Sequence, residues 1–350
     1  MTVELEALQA AVQKNCHIAD ARHAGDFTLC VYLLKMREYY RWERGFAFDA
    51  DLSREEVSDW LTEREQLWDR LEAESYAPLA VNGDRFDPFE TDRINAALVP
   101  HGLVYSAGLG RGAKPHFFLG HLERHEQHDG FTVLVSAREY ARDLSSPPAM
   151  TLGETIFIRR ESLRRMIWEK VEEWRWSRLD NALGRAVASY DFDADLDAAL
   201  EAMTTRELEA ARLHEIGEAM AGRRLGPAWE ELLASLPRSK TEFMLRAVRD
   251  HLADALSTLP SLIAEDNRPS LHFYMANLNG MRRELFPSLG EAYEAWRASG
   301  ETAPLLELVE RGTVHWEALA HDVLAAYAQA GTQPAGELSH LEGLMQARRL

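Results

Sequence analysis

The stretch NCHIADARH, residues 15–23, places a thiol, two imidazoles and a carboxylate within nine positions. On a helix, Cys16, Asp20 and His23 fall at i, i+4 and i+7 and share one side. Such a set could activate a thiolate beside an imidazole, or supply metal ligands. The plainer alternative is packing, because free cysteine is often an inert core residue and a core histidine usually just pairs with a carboxylate. Leu5, Leu8, Val12, Cys16, Ala19 and His23 form one apolar stripe at helical spacing, with Asp20 at its edge. All three candidates are therefore expected to face protein, as a satisfied core network or as the wall of a pocket.

A second set lies in RAVRDHLADALSTLP, where Asp250 and Asp254 stand one turn apart. They point away from the apolar face of Leu245, Val248, Leu252, Ala255, Leu256 and Leu259. That suits a solvated face, or a helix whose second face lines a cavity or meets another layer. Phe243 and Ala247 share the aspartate side. Shortly afterwards SLHFYMANLNGMRRELFP brings His272, Tyr274, Asn277, Asn279, Arg282 and Arg283 together, with His272 and Asn279 on one helix face. Joined, the two sets predict a buried polar pocket between helical regions, with Cys16, Asp20 and His23 facing Asp250, Asp254 and His272. Asp20 and His23 would do acid–base work or hold a divalent metal. Arg37, Arg41, Asn279 and Arg282 would orient a small anionic ligand.

Other clusters are less specific. Lys35, Arg37, Arg41 and Arg44 form one basic group, and Arg159, Arg160, Arg164 and Arg165 another. Each could receive a small anion, or form a solvated face with neighbouring glutamates. His214 with Glu218, Glu317 with His321 and His315 with Asp322 have the spacing of metal-binding helices. Thirteen histidines in so acidic a chain give roughly eight such pairs by chance, however. His121, Glu123 and His125 would share a strand face near a hairpin tip. GLGRGAKP (Gly108, Gly110, Gly112) fits neither dinucleotide nor P-loop spacing, and reads as a hairpin turn or as a lid carrying Arg111 and Lys114. Nucleophile-elbow, C-x-x-C, kinase and EF-hand patterns are absent.

The elements that must position these residues are mainly helical. Residues 1–80 read as three helices, the third opened by the capping box Ser53/Glu56. Residues 81–160 read as an α+β region with a small antiparallel sheet of three or four strands, turning at Asp129–Gly130 and closed by Pro147–Pro148. Residues 161–350 return to helices, two of them opened by Thr204/Glu207 and Ser239/Glu242. The expected fold class is mainly α (α+β), a bundle-like architecture with a small β insertion.

Composition narrows the function classes. With 39 basic and 57 acidic residues the chain carries a formal charge of −18, which disfavours nucleic acid as a partner. No apolar run is long enough to span a membrane. The first residues are acidic where a secretory signal would be basic, and two cysteines cannot form a disulfide framework, so a cytoplasmic location is expected. Nine tryptophans offer area for an interface without fixing an oligomeric state.

NCHIADARHAGDFTLCVYLLKMREYYRWE, RAVRDHLADALSTLP and SLHFYMANLNGMRR, with GLVYSAGLG, KPHFFLG and REYARDL in the middle, resemble a family of uncharacterised bacterial proteins of about this length. The resemblance implies a cytosolic bacterial protein with one integrated architecture and transfers no catalytic residue. The leading expectation is an enzyme or ligand-binding protein; the alternative is a non-catalytic helical protein that binds a protein partner.

Overall fold

The helix expected around residues 15–23 forms as α1 (Leu5–His23), and its buried stripe of Leu8, Val12, Cys16 and Ala19 lies on a sheet. The computed structural model describes residues 4–109, 114–330 and 334–350. They form two compact units, Met1–Glu169 and Lys170–Leu350.

In the N-terminal unit α1 is followed by α2 (Leu29–Arg44) and α3 (Arg54–Leu71). Gly45 adopts the left-handed conformation that ends α2, and the Ser53 hydroxyl accepts from the Glu56 amide to open α3. A two-stranded hairpin, β1 (Leu79–Val81) and β2 (Asp84–Phe86), and α4 (Thr91–Leu98) lead into the main sheet. Its strands are β3 (Leu103–Leu109), β4 (Pro115–His128), β5 (Phe131–Arg142), β6 (Ala149–Leu152) and β7 (Thr155–Arg159), in the order β3-β4-β5-β7-β6.

The sheet is larger than the expected insertion, and it is mixed. β4 runs on through His121–His128, so that His121, Glu123 and His125 alternate outward along a long strand. It turns at Asp129 and Gly130, both with positive φ, as expected. The Pro147–Pro148 break does not close the sheet. β6 follows it, turns at Gly153, and returns as β7 parallel to β5. β6 is only four residues long and adjoins a proline pair, which hides it from pattern reading. Both faces of the sheet are covered by apolar groups: Phe117 and Leu119 pack with α1 residues, whereas Phe118, Val104, Leu134 and Phe157 form a cluster of their own. Residues 110–113 of the glycine-rich stretch, Arg111 among them, lie outside the described residues. Lys114 is described and pairs with Asp26 at 2.6 Å.

The C-terminal unit is helical. The chain enters it within α5 (Arg160–Ser177), then forms α6 (Ala182–Val187), α7 (Leu196–Leu225), α8 (Pro227–Ser235) and α9 (Lys240–Ala253). A single π turn, Asp254–Thr258, joins α9 to α10 (Leu259–Ala264). Then come α11 (Arg268–Asn277), α12 (Gly280–Leu285), α13 (Pro287–Ser299), α14 (Ala303–Ala330) and α15 (Pro334–Ala347). Thr204 and Glu207 do not open a helix. Asp195 caps α7, and Thr204 lies inside it, its hydroxyl bonded back to the Leu200 carbonyl at 2.6 Å. Glu207 is buried and accepts from Ser270.

α9 packs against α7, α12, α14 and α15. Its expected apolar face is buried apart from a half-buried Leu256, and so are Met244, Ala247 and His251 on the other side. The aspartate face therefore meets another layer of helices. The π turn has a local cause in Pro260, which has no amide to donate and whose ring would strike the carbonyl of Leu256 in a regular helix. Widening the preceding turn keeps the chain helical.

Candidate functional site

The two sets predicted to face each other lie in different units, and each side chain finds its partners inside its own. Cys16 is fully buried, and its Sγ donates to the Phe117 carbonyl at 3.3 Å. Burial, with Asp143 and Asp20 nearby, pushes the Cys16 thiol well up, opposite to what a nucleophilic thiolate needs. Asp20 accepts the Leu144 amide at 2.9 Å and is also pushed up, first by burial and then by Asp143. His23 is half-buried. As the last residue of α1 it keeps 34% of its side-chain exposure and pairs with Asp26 at 3.5 Å. Arg41 spends its guanidinium on Glu38 and on the Ala47 and Ala50 carbonyls, and Arg37 also reaches Glu38, at 2.9 Å. These contacts build the core of the unit and leave the NCHIADARH trio without a common focus.

In the C-terminal unit polar groups from three helices converge on Asp254, the first residue of the π turn. Its side chain is 1% exposed. Oδ1 accepts His214 Nδ1–H at 2.7 Å; Oδ2 accepts the Tyr274 hydroxyl at 2.8 Å and also Arg282 Nη2. Arg282 Nη2 also donates to the Tyr274 oxygen at 3.2 Å. On the other side of the imidazole, Nε2 lies 3.5 Å from Glu218. Glu218 in turn accepts Arg249 Nη2 at 3.0 Å, and Arg249 approaches Asp250 at 3.6 Å. His251, stacked on Trp316, donates from Nε2 to the Arg282 carbonyl at 2.8 Å and so fixes the α12 backbone.

The charge states follow from these neighbours. Burial alone would lower the His214 pKa, but Asp254 and Glu218 overcome it and hold it well above the ordinary histidine value. Burial likewise acts to raise Asp254, yet Arg282 and His214 pull it well below the carboxylate range; Glu218 falls to about 2, drawn down by His214 and Arg249 against its own burial. Asp250 is raised, by burial and by the negative Glu218. His251 drops to about 3 through burial and the Arg282 charge, so it is neutral. At neutral pH, then, a doubly protonated imidazole sits between two ionised carboxylates. Asp254 is closed off, but His214 keeps 28% exposure, Arg282 23%, and Glu218 and Asp250 21% each.

One glycine lets these elements meet. Gly217 lies in α7 between His214 and Glu218, and a Cβ there would stand 2.3 Å from the Ala253 carbonyl oxygen. Only glycine allows α7 to approach the end of α9 this closely.

Asp250, Asp254 and Arg282 are thus brought together in this unit. His272 is not among them: its Nδ1 meets the Tyr293 hydroxyl at 2.8 Å, and its ring packs by Trp296. Tyr293 and Asn279 line a cleft of about 1080 Å³ in this unit, together with Asn181, Arg185 and Arg283. His214 and Asp254 lie outside that lining. The decisive residue, His214, belongs to a His/acid pair whose spacing alone does not set it apart from chance. The signal was the mid-helix glycine in HEIGE together with the proline after LST. Among the described residues, no three His, Cys, Asp or Glu side chains are grouped to hold a metal ion.

The fold and this centre define a mainly helical, two-unit protein with an α+β N-terminal unit and an all-helical C-terminal unit that carries a buried polar cluster. Residues 7–159 match the N-terminal domain, and residues 164–346 the C-terminal domain, of a family of unknown function (DUF6866). The chain belongs to that family. No curated protein and no solved structure matches it. Among the described residues no helix is long and apolar enough to cross a membrane.

Proposed function

We propose that the protein is an enzyme whose C-terminal unit carries an acid–base centre, with His214 as the proton donor to a small polar substrate. The supporting observation is that the His214 imidazole is held between two carboxylates, oriented through Nδ1 by a buried aspartate, and still reachable. A histidine so placed is charged at neutral pH and can release the Nε2 proton to a developing oxyanion or amine. Asp254 keeps the Nδ1–H bond throughout, and so holds the ring and its tautomer. Arg249 and Arg282 add positive charge beside it, which suits a substrate with an anionic group. The π turn supports the same reading, because such turns recur at functional sites.

The test is a thermal-shift and turnover screen with small carboxylic esters and amides on the wild type and on H214Q. Circular dichroism checks that the variant is folded. A compound that stabilises or is turned over by the wild type, and not by folded H214Q, supports the centre. Equal responses from both proteins remove it.

A further inference from the structure

The N-terminal unit contains a cavity of about 140 Å³ between α2, the turn at Ser145–Pro148 and the first half of α5. It is about the size of an engineered core cavity that binds one benzene. Its lining is polar, with three cations from separate elements: Lys35 on α2, Arg142 at the end of β5 and Arg165 on α5. Arg142 is 2% exposed and Arg165 6%. In each the Nη1 atom is buried with no hydrogen-bond partner, and neither side chain forms an ion pair among the described residues. The Arg142 Cζ lies 5.3 Å from the centroids of both the Tyr39 and the Trp42 rings, and among the described residues its side chain donates to the Asp143 carbonyl alone, at 3.3 Å.

Burying one guanidinium without an anion is costly, and burying two around one cavity is costlier still. The carboxylates at hand form no ion pair with them; Asp20, Glu139 and Glu161 feel the Arg142 charge from beyond ion-pair distance. Glu38 is taken by Arg37 and Arg41; Glu169 is pushed up by desolvation against the pull of Lys35. Asp143 accepts the Phe117 and Ser146 amides instead. The Ser146 and Ser162 hydroxyls bond to each other at the cavity wall.

We propose that this cavity is a binding site for a phosphate dianion, free or as a small phosphomonoester. The anion would accept from the Nη1 groups of Arg142 and Arg165 and from Lys35. A tetrahedral anion has enough oxygens for donors arriving from three elements, whereas a carboxylate has two. Guanidinium forks suit phosphate geometry, and the cavity excludes much larger groups. The site lies in the other unit from His214 and does not depend on the acid–base reading.

The experiment is isothermal titration calorimetry of the full chain, in low salt at neutral pH, with inorganic phosphate, ethyl phosphate and acetate. R165Q and K35Q are compared with the wild type, each checked for folding. Arg142 is left intact, because its guanidinium also packs against the Tyr39 and Trp42 rings. The expected result is one phosphate per chain, with affinity about tenfold to a hundredfold lower in each variant, the loss of one charge-assisted hydrogen bond. Ethyl phosphate binding as well as phosphate identifies a phosphomonoester as the ligand, and rejection of ethyl phosphate identifies the free ion. No heat with either phosphate, acetate binding as tightly, or unchanged affinity in folded R165Q and K35Q would overturn the proposal. If one variant fails to fold, the other decides.

Discussion

His214 and Asp254, forty positions apart in sequence, share a 2.7 Å hydrogen bond from Nδ1 to Oδ1 that ties α7 to the π turn. Asp254→Asn keeps the shape of the acceptor and removes its charge. The His214 pKa, followed by NMR, is expected to fall by about one to three units, the usual effect of losing an adjacent opposite charge. Asp254→Ala takes the ion-pair partner from Arg282, leaves His214 with Glu218 alone, and is expected to destabilise the protein by about 3–5 kcal/mol in urea denaturation. An unchanged His214 titration in Asp254→Asn would mean that the pair is not coupled as drawn.

The same centre predicts a pH dependence of stability. The folded His214 pKa is raised, so its contribution is fully present below about 6.5 and is lost as pH rises through the folded value. Glu218 and Asp254 are lowered, so their contributions are present above about 4 and are lost as pH falls towards 2. The stability difference between wild type and His214→Gln should therefore be largest in mildly acidic solution and shrink on the alkaline side. Denaturation midpoints of both proteins across that range measure it. A gap that stays constant into alkaline solution would contradict the raised pKa.

How far the sequence could be read depends on the range of the interaction. Ser53 with Glu56 and Ser239 with Glu242 are local contacts three residues apart, and both form caps. Thr204 with Glu207 has the same pattern yet lies inside α7, because a 30-residue helix packed along its length overrides one local signal. The turn at Asp129–Gly130 was legible from its own two residues. The parallel pairing of β7 with β5 was not, since it depends on where a four-residue strand returns. Asp250, Asp254 and Arg282 were visible as polar residues out of step with an apolar face. Their meeting with His214 arises from tertiary packing, and spacing along one helix cannot show which of several His/acid pairs has a third group opposite.

Gly217 offers a test in which two effects have opposite sign. Glycine to alanine in a helix interior usually stabilises by about 1 kcal/mol. At Gly217 the added Cβ would lie 2.3 Å from the Ala253 oxygen and 3.2 Å from the Ser257 Cβ, so α7 must move away from the π turn. Gly217→Ala is expected to lower the melting temperature and to disturb the His214 titration. Gly222→Ala on the same helix meets nothing within 4 Å and should be neutral or stabilising. A rise in melting temperature for Gly217→Ala would show that the close approach is not needed.

The two cysteines should differ sharply towards a thiol reagent. Cys30 is exposed near the start of α2 and should be modified readily in the native protein. Cys16 is fully buried, donates to the Phe117 carbonyl, and is held as the protonated thiol by burial and by Asp143 and Asp20. Only the thiolate reacts, so Cys16 should be modified only when α1 leaves the sheet, at a rate set by unfolding. Native protein is thus expected to titrate one thiol quickly and the second only in denaturant, with Cys30→Ser silent until unfolded. Fast labelling of native Cys30→Ser would place Cys16 in a reachable, activated setting and restore the catalytic reading of NCHIADARH.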